Sequence, residues 1–433
     1  MSQLRRFEVK SLARVEGEGS LRVRVADGRV EIAEFSIYEP PRFFEKLLRG
    51  RAIGEVPDMV ARICGICPVA YQLTACAALE NALGVTVTPE ITRLRRLLYH
   101  GEWMQSHGLH VHLLHAPDFF GVESGIALAA SRPDLVSRGL RLKELGGRIM
   151  EVVGGRAVHP INVAVGGFHK APPAAAIRGL VPDLEWALTA ALDLIGEVRG
   201  FGFPGQPRDY DGVCLRSEEG YPLDEGRIVS TSGLDIDIAE YELHFAERQV
   251  PWSTALHAVM LPGETPYLVG PLARMNRCHD RLPSQTRQAV EACRIEFPFR
   301  LSAQSIVARA IEIAVACEEA LAIARDAAAD VTPCRVAWEP RAGIGSHATE
   351  APRGLLWHRY EIGDDGLVRH AAIVPPTSQN QAMIEADLKA MLPAVLDRDD
   401  AAATFACERL IRDYDPCISC ATHFLRLRID RGA

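Results

Sequence analysis

The stretch RICGIC, residues 62–67, places two cysteines three positions apart, and DPCISC, residues 415–420, repeats that spacing near the other end of the chain. Each C-x-x-C pair can direct two sulfur atoms at one metal ion. Gly65 lets the backbone pass close to the ion without a Cβ clash, and Pro416 limits the conformation of the second motif. The two pairs together predict one pocket of four thiolates, from Cys64, Cys67, Cys417 and Cys420.

Three kinds of site use this spacing. A structural zinc site is one, but zinc modules keep their two pairs within a few tens of residues, whereas Cys64 and Cys417 are 353 positions apart. A thioredoxin-like redox role is disfavoured because neither pair lies in a readable βαβ unit. Four thiolates carry more negative charge than one divalent ion neutralises, so a second metal or nearby cations are expected. Soft sulfur ligands select nickel, iron, copper or zinc.

Composition limits the class of protein. The 433 residues are 48% hydrophobic and 24% charged, as in ordinary globular proteins, and no apolar run approaches the roughly 20 residues that span a bilayer. The net charge of −8, without a basic run, makes a nucleic-acid partner improbable. The N-terminus MSQLRRFEVK lacks the apolar segment of a secretory signal. An odd number of cysteines, 11, suits a reducing compartment, so a cytoplasmic location is expected.

Hydrophobic periodicity predicts a mainly α fold with small β-sheets, of the α+β class. Residues 20–37 alternate apolar and polar around Asp27-Gly28, which predicts a hairpin. A helical pattern runs from 69 to about 117, with Thr88 as an N-cap. Short β-like runs fill 201–270. The remaining predictions are a hairpin within 334–376 that turns at 364–366, and helices at 183–199, 284–329, 379–396 and 400–413. No linker is evident, so we expect one domain, residues 1–433, built on a long-helix bundle.

RICGICPVAYQ and DPCISCATH resemble the two cysteine motifs of the large, catalytic subunit of nickel-iron hydrogenases. The resemblance covers almost the whole chain and includes ARVEGEG at 13–19, PPRFFEKLLRGR at 40–51, GGRAVHPINVAVGG at 154–167, VGPLARMN at 269–276 and EAPRGLLWH at 350–358. It implies reversible heterolytic cleavage of H2 at a Ni-Fe(CN)2(CO) centre. All four cysteines would then bind nickel, and Cys67 and Cys420 would also bridge to iron.

The resemblance implies roles for several polar residues around that centre. Arg353, in APRG, matches an arginine above the metals, and Asp118 and Asp415 match carboxylates placed near that arginine. Asp118 could instead end a helix, and Asp415 could cap its own turn. Thr377 matches the position whose hydroxyl bonds a cyanide, and Pro376 precedes it as a second cofactor contact.

A proton must leave the site when H2 is split, and the resemblance assigns its route. Cys417 would take the proton as a nickel-bound thiolate, and Glu16, in ARVEGEG, would carry it away. A glutamate at the end of a Gly-rich strand is otherwise usually solvated. Glu18 stands where many relatives have histidine, which places the sequence nearer the cytoplasmic, nucleotide-linked branch.

A second, hard cation is implied at the C-terminus. Glu45, the backbone carbonyl near Ile373, and His423 match the protein ligands of a Mg²⁺ or Fe²⁺ ion. Residues 424–433 occupy the position of the extension that a maturation protease removes in many relatives. The histidines at 107, 110, 112 and 115 are expected to pack and hydrogen-bond around the site rather than to bind a metal.

Electrons from a buried centre need a way out, and no further C-x-x-C cluster is present in this sequence. The resemblance therefore implies an iron-sulfur small subunit and flavin-bearing, NADP(H)-linked subunits carrying FAD. The signatures are most like the bidirectional cytoplasmic branch that includes sulfhydrogenases. Two alternatives remain open: a hydrogen-sensing regulatory subunit, and a structural zinc scaffold similar to the quinone-site subunit of respiratory complex I.

Overall fold

The computed structural model describes residues 4–26 and 29–422. The strands are β1 (Leu4–Val9), β2 (Gly19–Ala26), β3 (Arg29–Ile37), β4 (Val163–Ala164), β5 (Gly167–Phe168), β6 (Val213–Arg216), β7 (Arg227–Ser230), β8 (Asp235–Ile236), β9 (Phe245–Gln249), β10 (Leu256–Met260), β11 (Gly343–Ala351), β12 (Gly354–Ile362) and β13 (Val368–Val374). The helices are α1 (Phe44–Leu48), α2 (Val56–Val60), α3 (Pro68–Leu83), α4 (Pro89–Leu109), α5 (Ala116–Phe119), α6 (Gly125–Ser131), α7 (Pro133–Gly154), α8 (Ala174–Arg178), α9 (Val181–Arg199), α10 (Tyr241–His244), α11 (Pro271–Cys278), α12 (Ser284–Ala292), α13 (Ser305–Arg325), α14 (Pro376–Met391), α15 (Asp400–Asp413) and α16 (Ile418–Ala421).

Long helices form the centre of the protein. Helix α4 packs against both α7 and α13, and α13 packs against α9. The α4 N-terminus forms as predicted, because the Thr88 hydroxyl accepts a bond from Ile91 N at 3.4 Å and proline occupies the first helical position. Helices α4 and α7 approach closely at Gly101 and Gly146, where a Cβ on Gly146 would lie 2.4 Å from the Gly101 carbonyl oxygen. The predicted long-helix bundle is therefore confirmed.

Small antiparallel sheets surround the bundle. The three-stranded sheets have the orders β1-β2-β3, β6-β7-β8 and β11-β12-β13, and β9 pairs with β10. In β2, Leu21, Val23 and Val25 face the core while the residues between them are more exposed, which is the alternation read from the sequence. The turn predicted at residues 27–28 lies outside the described residues. Helix α3 packs on β11 and β12 and carries the first cysteine motif to this sheet.

Two helix predictions need correction. The pattern over 284–329 was expected to be one helix, but α12 ends at Ala292 and α13 starts at Ser305. Arg294 has a positive φ of 52°, and Pro298 cannot donate a helical hydrogen bond, so the intervening chain leaves the helix. The 22-residue helix α7 was not predicted. It contains paired glycines, which lower helix propensity but allow close packing on α4.

The two ends of the chain meet beside the first sheet. Ile418 N donates to the Glu16 carbonyl at 3.0 Å, and Glu16 and Cys417 form a parallel β-bridge. Gly17 makes this approach possible: its φ is 87°, and a Cβ there would lie 2.6 Å from the Ile418 Cβ. The N-terminal segment and the second cysteine motif are thus in direct backbone contact.

Helix α14 is joined to the first sheet by a buried carboxylate. Glu385 Oε1 accepts bonds from Phe35 N at 3.0 Å and Trp252 Nε1 at 2.8 Å. Burial raises the pKa of Glu385 to about 7, outweighing the two donors and Lys389, while Glu34 adds to the rise. A carboxyl whose pKa is higher in the folded state favours folding when protonated, so its ionisation opposes folding as the pH rises from 4.5 to 7.

Replacing Glu385 with glutamine should therefore remove a pH-dependent loss of stability. The amide oxygen can still accept both bonds, and the side chain never ionises. We expect Glu385→Gln to be more stable than wild type at pH 8, by on the order of 3 kcal/mol, and the difference to vanish towards pH 4.5. Urea unfolding followed by tryptophan fluorescence measures it. Glu291→Gln, at an exposed site on α12, is the control, and a difference independent of pH would contradict the assignment.

Candidate metal centre

The four motif cysteines converge in one buried cluster. Cys64 Sγ lies 3.3 Å from Cys417 Sγ, Cys67 Sγ lies 3.5 Å from Cys420 Sγ, and the two sulfurs of the second motif are 2.8 Å apart. All four sulfurs lie within 4.8 Å of one another. The remaining cysteines, Cys76, Cys214, Cys278, Cys293, Cys317, Cys334 and Cys407, are unpaired and buried or half-buried. The predicted pocket of four sulfur ligands is present.

Each motif presents its sulfurs from the start of a helix. Helix α3 begins at Pro68, directly after Cys67, and the backbone amides of Ile66 and Cys67 point at Cys64 Sγ at 3.3 and 3.4 Å. The carboxylate of Glu102, on α4, accepts bonds from the first free amides of α3, Val69 N at 2.6 Å and Ala70 N at 3.1 Å. Glu102 was missed in the sequence. Its bonds go to backbone amides, which the sequence does not mark.

The thiols compete for negative charge. The pKa of Cys64 lies well below its ordinary value because the other three thiols donate hydrogen bonds to its sulfur. Burial raises the pKa values of Cys417 and Cys420. Without a metal the pocket therefore favours one thiolate surrounded by thiols, and full ionisation requires cations. A soft, four-sulfur donor set with this charge fits nickel together with iron.

Arg353 supplies fixed positive charge beside the cluster. Arg353 Nη2 lies 3.0 Å from Asp415 Oδ1, and its Nε donates to the Asp415 carbonyl at 2.7 Å. Burial alone would lower the Arg353 pKa, but Asp415 and then the cysteine sulfurs raise it well above its usual value. Arg353 Nη1 has no hydrogen-bond partner within residues 4–26 and 29–422. Arg353 and Asp415 are thus close together, as expected.

Asp118 is bonded to two other arginines, and no hydrogen bond joins it to Arg353 among the described residues. Its Oδ2 accepts from Arg412 Nε at 2.8 Å, and its Oδ1 accepts from Arg412 Nη2 at 2.8 Å and from Arg14 Nη2 at 2.5 Å. Burial would raise the Asp118 pKa, but these two guanidinium groups hold it below its usual value. The pairing arises because Arg14 and Arg412 also bond the carbonyls of Leu114 and Ala13. Asp118 therefore ties the segment that carries Glu16 to α15.

Glu16 contacts the second cysteine motif directly. Its Oε2 accepts from Cys417 Sγ at 3.2 Å and from Ser419 N at 3.0 Å, and its Oε1 accepts from the Ser419 hydroxyl at 2.5 Å. The Glu16 side chain is half-buried, whereas the four cysteines of the cluster are buried. This geometry can relay a proton between Cys417 and solvent. Ser419, missed as a site residue, lies within DPCISC itself.

Two other groups of predicted residues lie near the cluster. The Thr377 hydroxyl, beside Pro376 at the start of α14, accepts a bond from Cys417 N at 3.0 Å, which leaves its proton free to donate. Glu45 Oε1 accepts from Ile373 N at 2.8 Å, so these two expected contributors to a hard-cation site are neighbours. His423 and residues 424–433 lie outside the described residues.

The expected histidines are buried and bonded to protein. His110–His115 form one π-helical turn, which bulges the chain between α4 and α5. His110 Nε2 lies 3.0 Å from the Arg412 carbonyl, and His115 Nε2 lies 2.9 Å from Asp413. His112 Nδ1 lies 2.9 Å from the Gly108 carbonyl oxygen, and His107 Nε2 lies 3.0 Å from Glu312 Oε2. Within the part of the chain that the structure describes, the four cysteines form the only cluster of three or more metal-ligating side chains.

Comparison with known proteins defines the class. The model of the nickel-dependent hydrogenase family matches residues 42–134 and 263–423. The sulfhydrogenase 1 subunit alpha of Pyrococcus furiosus is 31% identical to this chain, over 97% of the chain and 98% of the relative. This chain therefore belongs to the nickel-dependent hydrogenase family, as a large, catalytic subunit. The recognition made from the cysteine motifs is confirmed.

Further relatives agree with that assignment. The NAD-reducing hydrogenase HoxS subunit beta of Cupriavidus necator is 27% identical, over 97% of this chain and 95% of that one. The crystal structure of an NAD+-reducing [NiFe]-hydrogenase in the H2-reduced state superposes with a TM-score of 0.85 at 28% identity, over 97% and 99% of the two chains. The predicted fold class is confirmed. No helix among the described residues is long and apolar enough to cross a membrane.

The contact between Glu16 and Cys417 predicts that Glu16 transfers protons. Glu16→Gln keeps an oxygen to accept from Ser419 but cannot take up a proton near neutral pH. We expect H2/D2O exchange to slow by about 10²- to 10⁴-fold while nickel content is unchanged. Glu18→Gln, two residues away and exposed, is the matched control and should exchange at the wild-type rate. Unchanged exchange in Glu16→Gln would refute the role.

The ion pairs of Asp118 predict a mainly structural effect of its loss. Asp118→Asn leaves the Arg412 and Arg14 guanidinium groups without a buried counter-ion, so we expect the apparent free energy of unfolding to fall by about 3–5 kcal/mol. Exchange activity per folded molecule should largely persist. Asp415→Asn, which removes the counter-ion of Arg353 beside the cluster, should lower exchange per folded molecule as well as stability. Urea unfolding and H2/D2O exchange measure both, and loss of exchange without loss of stability in Asp118→Asn would contradict this assignment.

Proposed function

We propose that this chain catalyses reversible H2 cleavage at a Ni-Fe(CN)2(CO) centre that Cys64, Cys67, Cys417 and Cys420 would hold, with Cys67 and Cys420 also binding the iron. The observation that carries the proposal is the convergence of four sulfurs within 4.8 Å, with one of them bonded to Glu16. Bound metals would supply the site that accepts the hydride. Zinc needs neither the glutamate nor the buried arginine beside it.

The protein's own groups would handle protons and charge. Cys417 would take the proton from H2, and Glu16 would accept it across the 3.2 Å contact and release it towards the surface. Arg353 would balance the negative charge of the thiolates, and Asp415 would orient its guanidinium through two bonds. Thr377 and Pro376 would contact the diatomic ligands of iron. Asp118 would act through the segment that carries Glu16.

A hard cation and a processed C-terminus complete the proposal. Glu45, the Ile373 carbonyl and His423 would bind Mg²⁺ or Fe²⁺. Residues 424–433 would be removed by a maturation protease from a chain that is otherwise a single domain over 1–433. If so, the active subunit should lack the mass of those residues, and full-length active protein would rule the removal out.

Electrons would leave through other subunits. We propose an iron-sulfur small subunit and flavin-bearing subunits that carry FAD and exchange electrons with NADP(H), in a cytoplasmic complex. The names of the relatives support this: one is a sulfhydrogenase alpha subunit and another an NAD-reducing hydrogenase subunit. A hydrogen-sensing subunit would share the metal site but not the fast electron transfer.

Three measurements on the purified complex test the proposal. We expect nickel and iron by elemental analysis, infrared bands of metal-bound CO and cyanide, and H2-dependent reduction of NADP+. Cys420→Ser should lose nickel and the bands, whereas Cys293→Ala, at a cysteine outside the cluster, should keep both. Zinc alone would overturn the metal centre. Infrared bands without NADP+ reduction would favour the sensor.

A further inference from the structure

Arg42 contacts both cysteine motifs with one guanidinium group. Its Nη2 donates to the carbonyl of Ile63, just before Cys64, at 2.5 Å, and also to the carbonyl of Ser419, just before Cys420. Its Nη1 lies 3.4 Å from the Arg62 carbonyl. Among the described residues, no other side chain donates hydrogen bonds to backbone carbonyls of both motifs.

The backbone of the same residue also reaches the second motif. Arg42 N donates to the Thr422 carbonyl at 2.6 Å, so residue 42 holds the chain before and after Cys420. The next residue, Phe43, has a left-handed φ of 56°, and α1 starts at Phe44, whose ring lies 5.4 Å from the guanidinium. Arg42 is thus fixed by its own segment as well as by the motifs that it joins.

We propose that Arg42 is a positioning residue that holds the two cysteine motifs at ligand distance before metals bind. The function needs such a device because the loops come from opposite ends of the chain and carry sulfurs that repel one another once ionised. A guanidinium is suited to it because it stays charged and its several N–H donors lie in one rigid plane. It acts on carbonyls rather than on sulfurs, so its bonds do not compete with metal binding by the cysteines.

Arg42 belongs to PPRFFE, the segment that also contains Glu45. The hard cation proposed at Glu45 would join the C-terminus to this segment only after an ion has bound. The Arg42 bonds need no ion. Arg42 therefore aligns the two cysteine motifs first, in the metal-free chain, and metal insertion completes the site afterwards.

Disulfide mapping of the metal-free, full-length chain tests this order. Diamide oxidises two neighbouring thiols to a disulfide, taking up their two electrons and two protons, and mass spectrometry separates pairs between motifs (64–417, 67–420) from pairs within a motif (64–67, 417–420). We expect Arg42→Ala to lower the ratio of between-motif to within-motif pairs by about threefold or more. Arg42→Lys, which keeps the charge but not the planar arrangement of donors, should give a ratio between those of Arg42→Ala and wild type. Arg49→Ala, exposed at the end of α1, should match wild type.

The assay runs well below the melting midpoint of each variant, so a general loss of stability cannot change the ratio. Should Arg42→Ala fail to fold, Arg42→Lys alone decides. In the assembled complex, nickel release to a chelator should be faster in the Arg42 variants than in Arg49→Ala. An unchanged disulfide ratio in Arg42→Ala, or no between-motif pairs in wild type, would overturn the proposal. Because it rests on the proposed metal centre, absence of nickel from wild type would instead refute that function.

Discussion

The whole structure depends on bringing sulfurs from the two ends of the chain into one pocket. Cys64 and Cys417 are separated by 353 positions, yet their sulfurs are 3.3 Å apart. The entropy lost by closing so long a loop grows only logarithmically with its length, so a large core can offset it. The core does so: the helix bundle, the first sheet and α14 share one continuous set of buried apolar residues. Fine alignment is then left to a few polar contacts at the loops.

Charge organises the region around that pocket. Buried ions are costly unless paired, and here they form interlocking sets. Arg274 bonds Glu312 and Glu350 in the core, while Arg412 and Arg14 enclose Asp118. The pKa of Glu312 falls to about 2, because Arg274 outweighs the effect of burial, whereas burial raises that of Glu350 to about 7. Both carboxylates bond Arg274, but only Glu312 has a pKa below its ordinary value. Arg353, by contrast, has both Asp415 and the cysteine sulfurs as counter-charges.

Predictions from the sequence were most accurate where the chemistry of a site or a helix cap requires particular residues at a fixed spacing. The cysteine motifs, the Thr88 cap and the contact of Glu16 with the second motif depend on local patterns or on a joint motif match. A motif match gives a neighbourhood and not a bonding partner, so the ion pairs of Asp118 with Arg14 and Arg412 were not predicted. Apolar residues recur at helical spacing across 284–329, and periodicity does not show where α12 ends and α13 begins. Glu102 and Arg42 were missed because each acts on backbone groups, which carry no sequence signal.

The four sulfurs are chemically equivalent in sequence but not in the fold. Cys64 lies where backbone amides and neighbouring thiols favour its thiolate, and so its sulfur holds negative charge readily. Cys417 lies where burial favours its protonated form, and its sulfur lies 3.2 Å from a carboxylate oxygen of Glu16. A ligand that can gain and lose a proton needs both conditions. The contact with Glu16 therefore gives a physical reason why Cys417, rather than Cys64, would be the proton-carrying thiol in the proposed reaction.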